Sequence, residues 1–328
     1  MHAFLDVMDL PNRIGMMSWD GETLVFVAGT ETASGLYTTD GSTITRVLVS
    51  GLELPGQPGN PVVRFGGVTM NGSRFAATLD GTQAFTGAIV QNVGGVSNVV
   101  VDNTTIAPDG MGTLTFTEGS LDIDERNAFV WNGGTQQGAG ILTNTFGDIL
   151  PVATGATPVP GFAGASFTSL STRPIIDDGL IAFRASSFRA GDFQFRTGVY
   201  TWDEGLLRSV ADSSTPAPDG GLHEFVNFLR PGVDVDNGTV YFASRTSQTT
   251  SLGLYASLPS GTPLEPVVDR FTLIPGSDDT FVASPLHNVR DVFDADNGVV
   301  AFSTGFGVYV NIDGETLKVV DRDDTIDP

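Results

Sequence analysis

The side chains best placed to do chemistry in this sequence are arginines. Arg13, Arg64, Arg230 and Arg290 each stand eight residues before a recurring glycine, and Arg173 takes the same place in a copy shorter by two residues. Five of the fifteen arginines then share one position, in a chain of formal charge −22 whose only lysine is Lys318. A guanidinium is a planar fork of donors that matches a carboxylate or sulfate through paired bonds. Several of them gathered in an acidic protein would focus field lines on an anion. The structural alternative is that each arginine pairs with a carboxylate of the fold. Asp102, Asp212, Asp269 and Asp321, which end a recurring apolar strand, are the candidate partners.

The carboxylates offer a second chemistry. "DVDNG" and "DADNG" alternate Asp234 with Asp236 and Asp294 with Asp296 before a glycine. Calcium takes several oxygen ligands from close spacing, so a Ca2+ ion bridging two repeats is one expectation; neither stretch follows the EF-hand spacing. The alternative is a hairpin turn with solvated flanks. Histidine offers a third. His287 beside Arg290 could act on a uronate, the arginine neutralising the carboxylate while the imidazole takes a proton, and His223 is the other candidate. A lone histidine is as readily a satisfied structural residue. The chain has no H-E-x-x-H, G-x-S-x-G or phosphate-binding loop.

These residues must be positioned by a repeat. "DGETLVF" at Gly21, "NGSRFAA" at Gly72, "DGLIAF" at Gly179, "NGTVYF" at Gly238 and "NGVVAF" at Gly298 share one pattern, with Glu125 in the glycine's place in "DERNAFVW". A second anchor follows each: Gly35-Leu36-Tyr37, Gly87-Ala88-Ile89, Gly140-Ile141-Leu142, Gly198-Val199-Tyr200, Gly253-Leu254-Tyr255 and Gly307-Val308-Tyr309. Period-2 alternation, β-branched and aromatic residues, and Asp-Gly or Asn-Gly turns predict antiparallel hairpins. In the fourth copy the strands are expected at Phe167–Ile176, Leu180–Ala185, Gly198–Trp202 and Leu206–Ala211. Four strands per copy, in six copies of 51–60 residues, predict an all-β, six-bladed β-propeller of four-stranded antiparallel blades spanning residues 1–328 as one domain. Phe4–Arg13 is expected to form the first strand of the first blade and Leu317–Asp321 to close the last. The shared position of Tyr37, Tyr200, Tyr255 and Tyr309 predicts packing between blades.

Composition excludes some functions. A charge of −22 repels nucleic acid and anionic lipid. The absence of cysteine removes disulfides and thiolate zinc sites. No apolar run is long enough to span a bilayer as a helix.

The G-x-x-[AVY]-F and G-[VL]-Y elements, present in some form in every copy, resemble those of exported bacterial tandem-repeat proteins of the NxxGxxAF-repeat type. Three residues before the glycine position, where that motif has asparagine, this chain has Ser18, Thr69, Asp122, Ile176, Val235 and Ala295. The resemblance implies an extracellular or cell-surface setting, with export signal and anchor outside this chain, and supplies no catalytic residues. The expected function is a non-catalytic extracellular binding or cell-surface structural module. Its ligand would be an anionic glycan or cell-surface component at the mouth of the central channel, where the arginines converge. No cofactor is expected beyond the Ca2+ already named. The rival expectation is a polysaccharide-active enzyme of lyase type on the same fold.

Overall fold

The computed structural model of the chain describes residues 13–19, 22–29, 34–54, 57–81, 87–108, 112–126, 128–135, 138–171, 173–218, 220–225, 232–247, 249–259, 261–281, 293–304, 307–322 and 324. Its regular elements are all β-strands. They form six antiparallel sheets, each with four strands in chain order, and three of the six carry one short additional strand. The fold is that of a six-bladed β-propeller with four-stranded blades. The first strand of the first sheet is Arg13–Trp19, so it begins where the sequence-based expectation ended it; residues 4–12 lie outside the described residues. Glu315–Asp321 is the last strand of the sixth sheet.

The chain divides into two compact units, residues 1–155 with 170–179, and residues 156–169 with 180–328. In the first unit the core lies between consecutive sheets. One cluster joins Val25 and Leu36 of the first sheet to Phe65, Phe75 and Val90 of the second. Another joins Ile89 and Val101 of the second to Phe129, Trp131 and Leu142 of the third. In the second unit Tyr241 and Leu254 of the fifth sheet meet Phe293, Val300, Phe302 and Tyr309 of the sixth. A single sheet cannot cover both its faces, and stacking against the next sheet buries them.

The second sequence anchor marks a β-bulge. Between the third and fourth strands the register shifts at Leu36/Tyr37, Ile89/Val90, Ile141/Leu142, Val199/Tyr200, Leu254/Tyr255 and Val308/Tyr309, once in every sheet. The bulge brings the fourth strand against the anchor glycine. A Cβ on Gly198 would stand 2.6 Å from the Ala211 carbonyl oxygen, and one on Gly307 would overlap that of Val320. At these two positions a side chain would collide with the fourth strand, whereas the second sheet has Ala88 at the equivalent place.

The two anchors meet across the second and third strands. Phe26 pairs with Tyr37, Phe183 with Tyr200, Phe242 with Tyr255 and Phe302 with Tyr309. Their rings stack with centroids at 5.7, 5.9, 5.8 and 5.7 Å. The tyrosines therefore form cross-strand pairs within their own sheet, and Tyr309 also lies in the core that the fifth and sixth sheets share.

The fourth sheet departs from the expected lengths. Its four main strands are Ser166–Leu170, Leu180–Arg189, Gln194–Asp203 and Leu206–Asp212, and the short Ile175–Asp177 also pairs with the second of them, so the expected strand Phe167–Ile176 is split in two. The middle pair is longer than the repeat predicts. Its ladder runs from Ile181↔Trp202 out to Arg189↔Gln194.

Candidate functional site

The recurring arginines do not share one environment. Arg64 pairs across its hairpin with Asp80, Nε to Oδ2 at 3.2 Å and Nη2 to Oδ2 at 3.2 Å, with its side chain 59% exposed. Asp80 is the carboxylate directly opposite it in the ladder. Arg173 is exposed, and its backbone N–H donates to Ser171 Oγ at 3.0 Å. Arg13 opens the first strand, facing Gly29 in the ladder. Arg230 and Arg290 lie outside the described residues, as does His287.

The strand-ending aspartates shape the connection to the next sheet. Asp102 Oδ1 accepts from the backbone N–H of Thr104 and Thr105, and Thr105 Oγ1 accepts from the Asp102 N–H. Asp212 and Asp269 repeat this reciprocal turn with Thr215 and Thr272. Asp212 also holds Arg196 at 2.9 Å. A side chain that bonds its own turn in this way fixes the turn as backbone bonds would.

The acidic turns reach further. Asp234 Oδ2 accepts from the backbone N–H of Ala295 at 2.8 Å. Asp236 Oδ2 accepts from Gly298 N–H at 2.7 Å and its Oδ1 from Asn297 N–H at 3.1 Å. The fifth sheet therefore grips the first hairpin of the sixth. The first unit has the same device. Asp122 Oδ2 accepts from Ile176 N–H at 2.8 Å, and Asp124 Oδ2 accepts from Gly179 N–H at 3.0 Å. Thr69 donates its hydroxyl to Asp122 Oδ1 at 2.9 Å, and Ser18 Oγ accepts from Met70 N–H at 3.1 Å. One register position, occupied by Ser18, Thr69, Asp122 and Asp234, thus reaches from each of these repeats into the next.

Sequence reasoning missed this position by one residue in the later copies. In the fifth and sixth sheets the turn is Asn237-Gly238 or Asn297-Gly298, both residues with positive φ, so glycine is the second turn residue. In the second sheet Asn71 faces Arg74, so Gly72 is the first. Aligning the glycines therefore set Val235 and Ala295 in the place that the ladder gives to Asp234 and Asp294.

Electrostatics follow from burial. Desolvation pushes the Asp122 carboxyl up to about 6, against the bonds from Ile176 and Thr69 and helped by the nearby Asp124 charge. Desolvation also raises Asp124, opposed by N–H bonds from Ala128, Gly179 and Arg126. Asp294 is raised by desolvation and by Asp296, and Asp296 Oδ1 accepts from Asn297 Nδ2 at 3.1 Å. The oxygens of Asp234 and Asp236, which the spacing offered to a cation, are engaged by backbone donors. Among the described residues no group of three or more His, Cys, Asp or Glu is disposed to hold a metal ion.

His223 is fully buried, and its Nδ1 lies 2.6 Å from Ser244 Oγ. Its ring meets Tyr255 edge-on at 4.9 Å and 90°. Phe167 meets Tyr200 at 5.1 Å and 87°, and Phe281 meets Tyr309 at 5.0 Å and 84°. His223 is therefore the fifth sheet's version of the ring that caps the Phe–Tyr stacks of the fourth and sixth sheets. The caps stand at unequal distances before their turn glycines, so spacing did not reveal the equivalence.

Several solved structures share the architecture. The β-propeller domain of the Trilobed protease from Pyrococcus furiosus superposes with a TM-score of 0.54 at 12% identity, over 94% of this chain and 82% of that one. An oligogalacturonate lyase from Vibrio parahaemolyticus gives 0.50 at 10% identity, over 95% and 78%. The acylaminoacyl peptidase of Pyrococcus horikoshii gives 0.50 at 14% identity over 94% of this chain, which spans 45% of that protein. At such identities the likeness establishes the fold alone. No curated protein sequence is significantly similar. Residues 125–324, more than half of the chain, match a family described as of unknown function, DUF7453.

Proposed function

The chain belongs to the DUF7453 family, and from that premise we propose that it is a non-catalytic extracellular binding or cell-surface structural module. What supports this reading is where the titratable groups are spent. Asp122, Asp124, Asp234 and Asp236 hold backbone N–H groups of the following repeat. Asp102, Asp212 and Asp269 close turns, and His223 is a capping ring of a buried stack. A general acid or base must reach the proton it moves, and these groups face the fold's own donors and rings. The exposed guanidiniums of Arg64 and Arg173 are the side chains this reading assigns to an anionic glycan or cell-surface component. Arg64 would exchange its partly solvated Asp80 for the ligand carboxylate or sulfate.

The test is affinity electrophoresis of the chain through gels carrying uronate-rich, sulfated or neutral polysaccharides, with the same mixtures assayed for chain cleavage. Retardation by an anionic polymer that weakens in Arg64→Gln or Arg173→Gln, with the polymer intact, is the expected result. Depolymerisation would make the protein an enzyme and overturn the reading. Retardation unchanged in both variants would remove the arginines from it.

A further inference from the structure

The elongated hairpin of the fourth sheet ends in an aromatic patch that the repeat does not account for. Phe188 and Phe195 face each other across the ladder, with ring centroids 4.5 Å apart, and Phe193 in the turn meets Phe188 at 6.2 Å. Phe193 is 81% exposed and Phe195 71%. A contiguous apolar patch of this kind on a soluble chain marks a place of contact.

The backbone holds the patch in place against its own preference. Phe193 has φ 56°, in the left-handed region. The other non-glycine residues with positive φ are Asp178, Glu204, Asn237, Asn297 and Asp313 among the described residues. Asparagine and aspartate tolerate this conformation, and a bulky side chain there is an outlier. Gly191, which could adopt it freely, is not the residue that does. Strain of this sort persists where surrounding structure enforces it, and it concentrates at functional sites.

The opposite face of the hairpin is anchored. The Arg189 and Arg196 guanidiniums lie over the Phe162 ring at 4.5 and 4.1 Å, and Phe162 is 1% exposed. Arg189 is fastened to Asp192, with Nε to Oδ1 at 2.8 Å, and to Gln194 Oε1 at 2.9 Å; Arg196 is fastened to Asp212 at 2.9 Å. The cations are thus turned under the hairpin and matched by carboxylates, and the rings are left outward. Next to the rings, on their own face, the hydroxyls of Ser186 and Thr197 lie 3.2 Å apart and partly exposed.

From this arrangement we propose that the hairpin tip is a binding site for a neutral glycan, with Phe193 and Phe195 stacking on the apolar C–H face of a sugar ring and Ser186 and Thr197 bonding its hydroxyls. Charge selects this occupant. The charges beside the patch are paired, so nothing there is spare for a polyanion or an acidic peptide. The chain's −22 charge opposes an anionic membrane and a second copy of itself alike. Aromatic rings flanked by hydroxyls suit a ligand that is apolar on one face and polyhydroxylated at its edge. This site is separate from the arginines of the proposed anionic ligand.

The test uses the whole chain and the variants Phe195→Ser, Phe193→Gly and Arg64→Gln. Gels carrying soluble neutral glucans, galactomannans or dextran measure glycan binding, phosphatidylcholine vesicles measure lipid binding, and sedimentation velocity measures self-association. Retardation by a neutral glycan is expected at low and high salt alike. It should weaken at least about tenfold in Phe195→Ser and Phe193→Gly, as for truncation of an aromatic hot spot. Arg64→Gln should leave it unchanged. Phe193→Gly should melt no lower than the parent, which separates loss of the site from loss of the fold. Neutral-glycan binding that survives both phenylalanine variants would overturn the hairpin site while leaving a binding module standing. The site also falls if no neutral glycan retards the chain, or if only vesicles or a second copy require the rings. Anionic-glycan retardation in the same experiment reports separately on the arginine reading.

Discussion

Asp236 is the sharpest place to test how one repeat holds the next. Replacing it with alanine removes both oxygens that accept from Asn297 and Gly298. Asp236 is 8% exposed, whereas the turn it grips is exposed and can take water in exchange. Hydrogen bonds to a charged partner are each worth roughly 1.5–3 kcal/mol net, and partial rehydration puts this pair at the low end, giving about 3 kcal/mol in total. For a 328-residue chain unfolding as one body that corresponds to a melting temperature lower by roughly 4–5 °C. Asp236→Asn keeps one acceptor and turns an amide donor toward the other N–H, so it should fall between parent and alanine. The assay is urea unfolding followed by tryptophan fluorescence, joined to amide exchange at Asn297 and Gly298. The grip would be refuted by an alanine variant within about 0.5 kcal/mol of the parent, or by exchange at those two amides no faster than in the parent.

Asp122→Asn removes a carboxylate raised to about 6 while keeping an acceptor for Ile176. A carboxyl raised in the folded state favours folding while protonated, so the parent should lose stability as pH rises from about 4 through 6. Asp122 is only partly buried as a residue, and water screens the effect to about 1–2 kcal/mol. Thermal melts of parent and Asn variant across that window should converge at the acid end and diverge toward neutrality in favour of the variant. Gly198→Ala forces a methyl against the Ala211 carbonyl, and a loss of about 2–3 kcal/mol in denaturant midpoint is expected. His223→Phe copies the cap found at Phe167 and Phe281 but removes the bond to buried Ser244; it should lose about 1–2 kcal/mol, whereas His223→Ala should lose about 3 kcal/mol or more by the same measurement.

The repeat was legible because its signals are local. A glycine that must admit a bulge, and a phenylalanine and a tyrosine that pair across a hairpin, recur wherever the backbone makes the same move. The grip between repeats was illegible for a reason equally local. A two-residue turn accepts glycine at either centre, so Gly72 and Gly238 mark different places in the ladder. Ladder register depends on which residues pair, and that is invisible to spacing counted from the glycine. The hairpin of the fourth sheet escaped for a related reason. Gly191 signals a turn, yet the left-handed residue is Phe193, and the ring it meets is Phe188, five residues back across the hairpin. The strand-ending aspartates were candidate partners for the arginines, and Asp102 and Asp269 bond their own turns. Asp212 does both, through an arginine in its own sheet.

The grip between repeats has a direction. Ser18 reaches forward to Met70, Asp122 to Ile176, Asp124 to Gly179, and Asp236 to Gly298. In these four the acceptor is made first and its donor is translated later, whereas Thr69 is made first and donates forward to Asp122. A nascent chain leaving the ribosome therefore carries, at its newest finished repeat, a side chain still lacking the donor it will use. That donor emerges with the next turn, so the first, third and fifth sheets present acceptors to the first hairpin of the sheet that follows. Domains are generally built in order of synthesis; here the order is written into single side chains. A chain halted between two turns would expose its last acceptor to solvent, and would resume from that point.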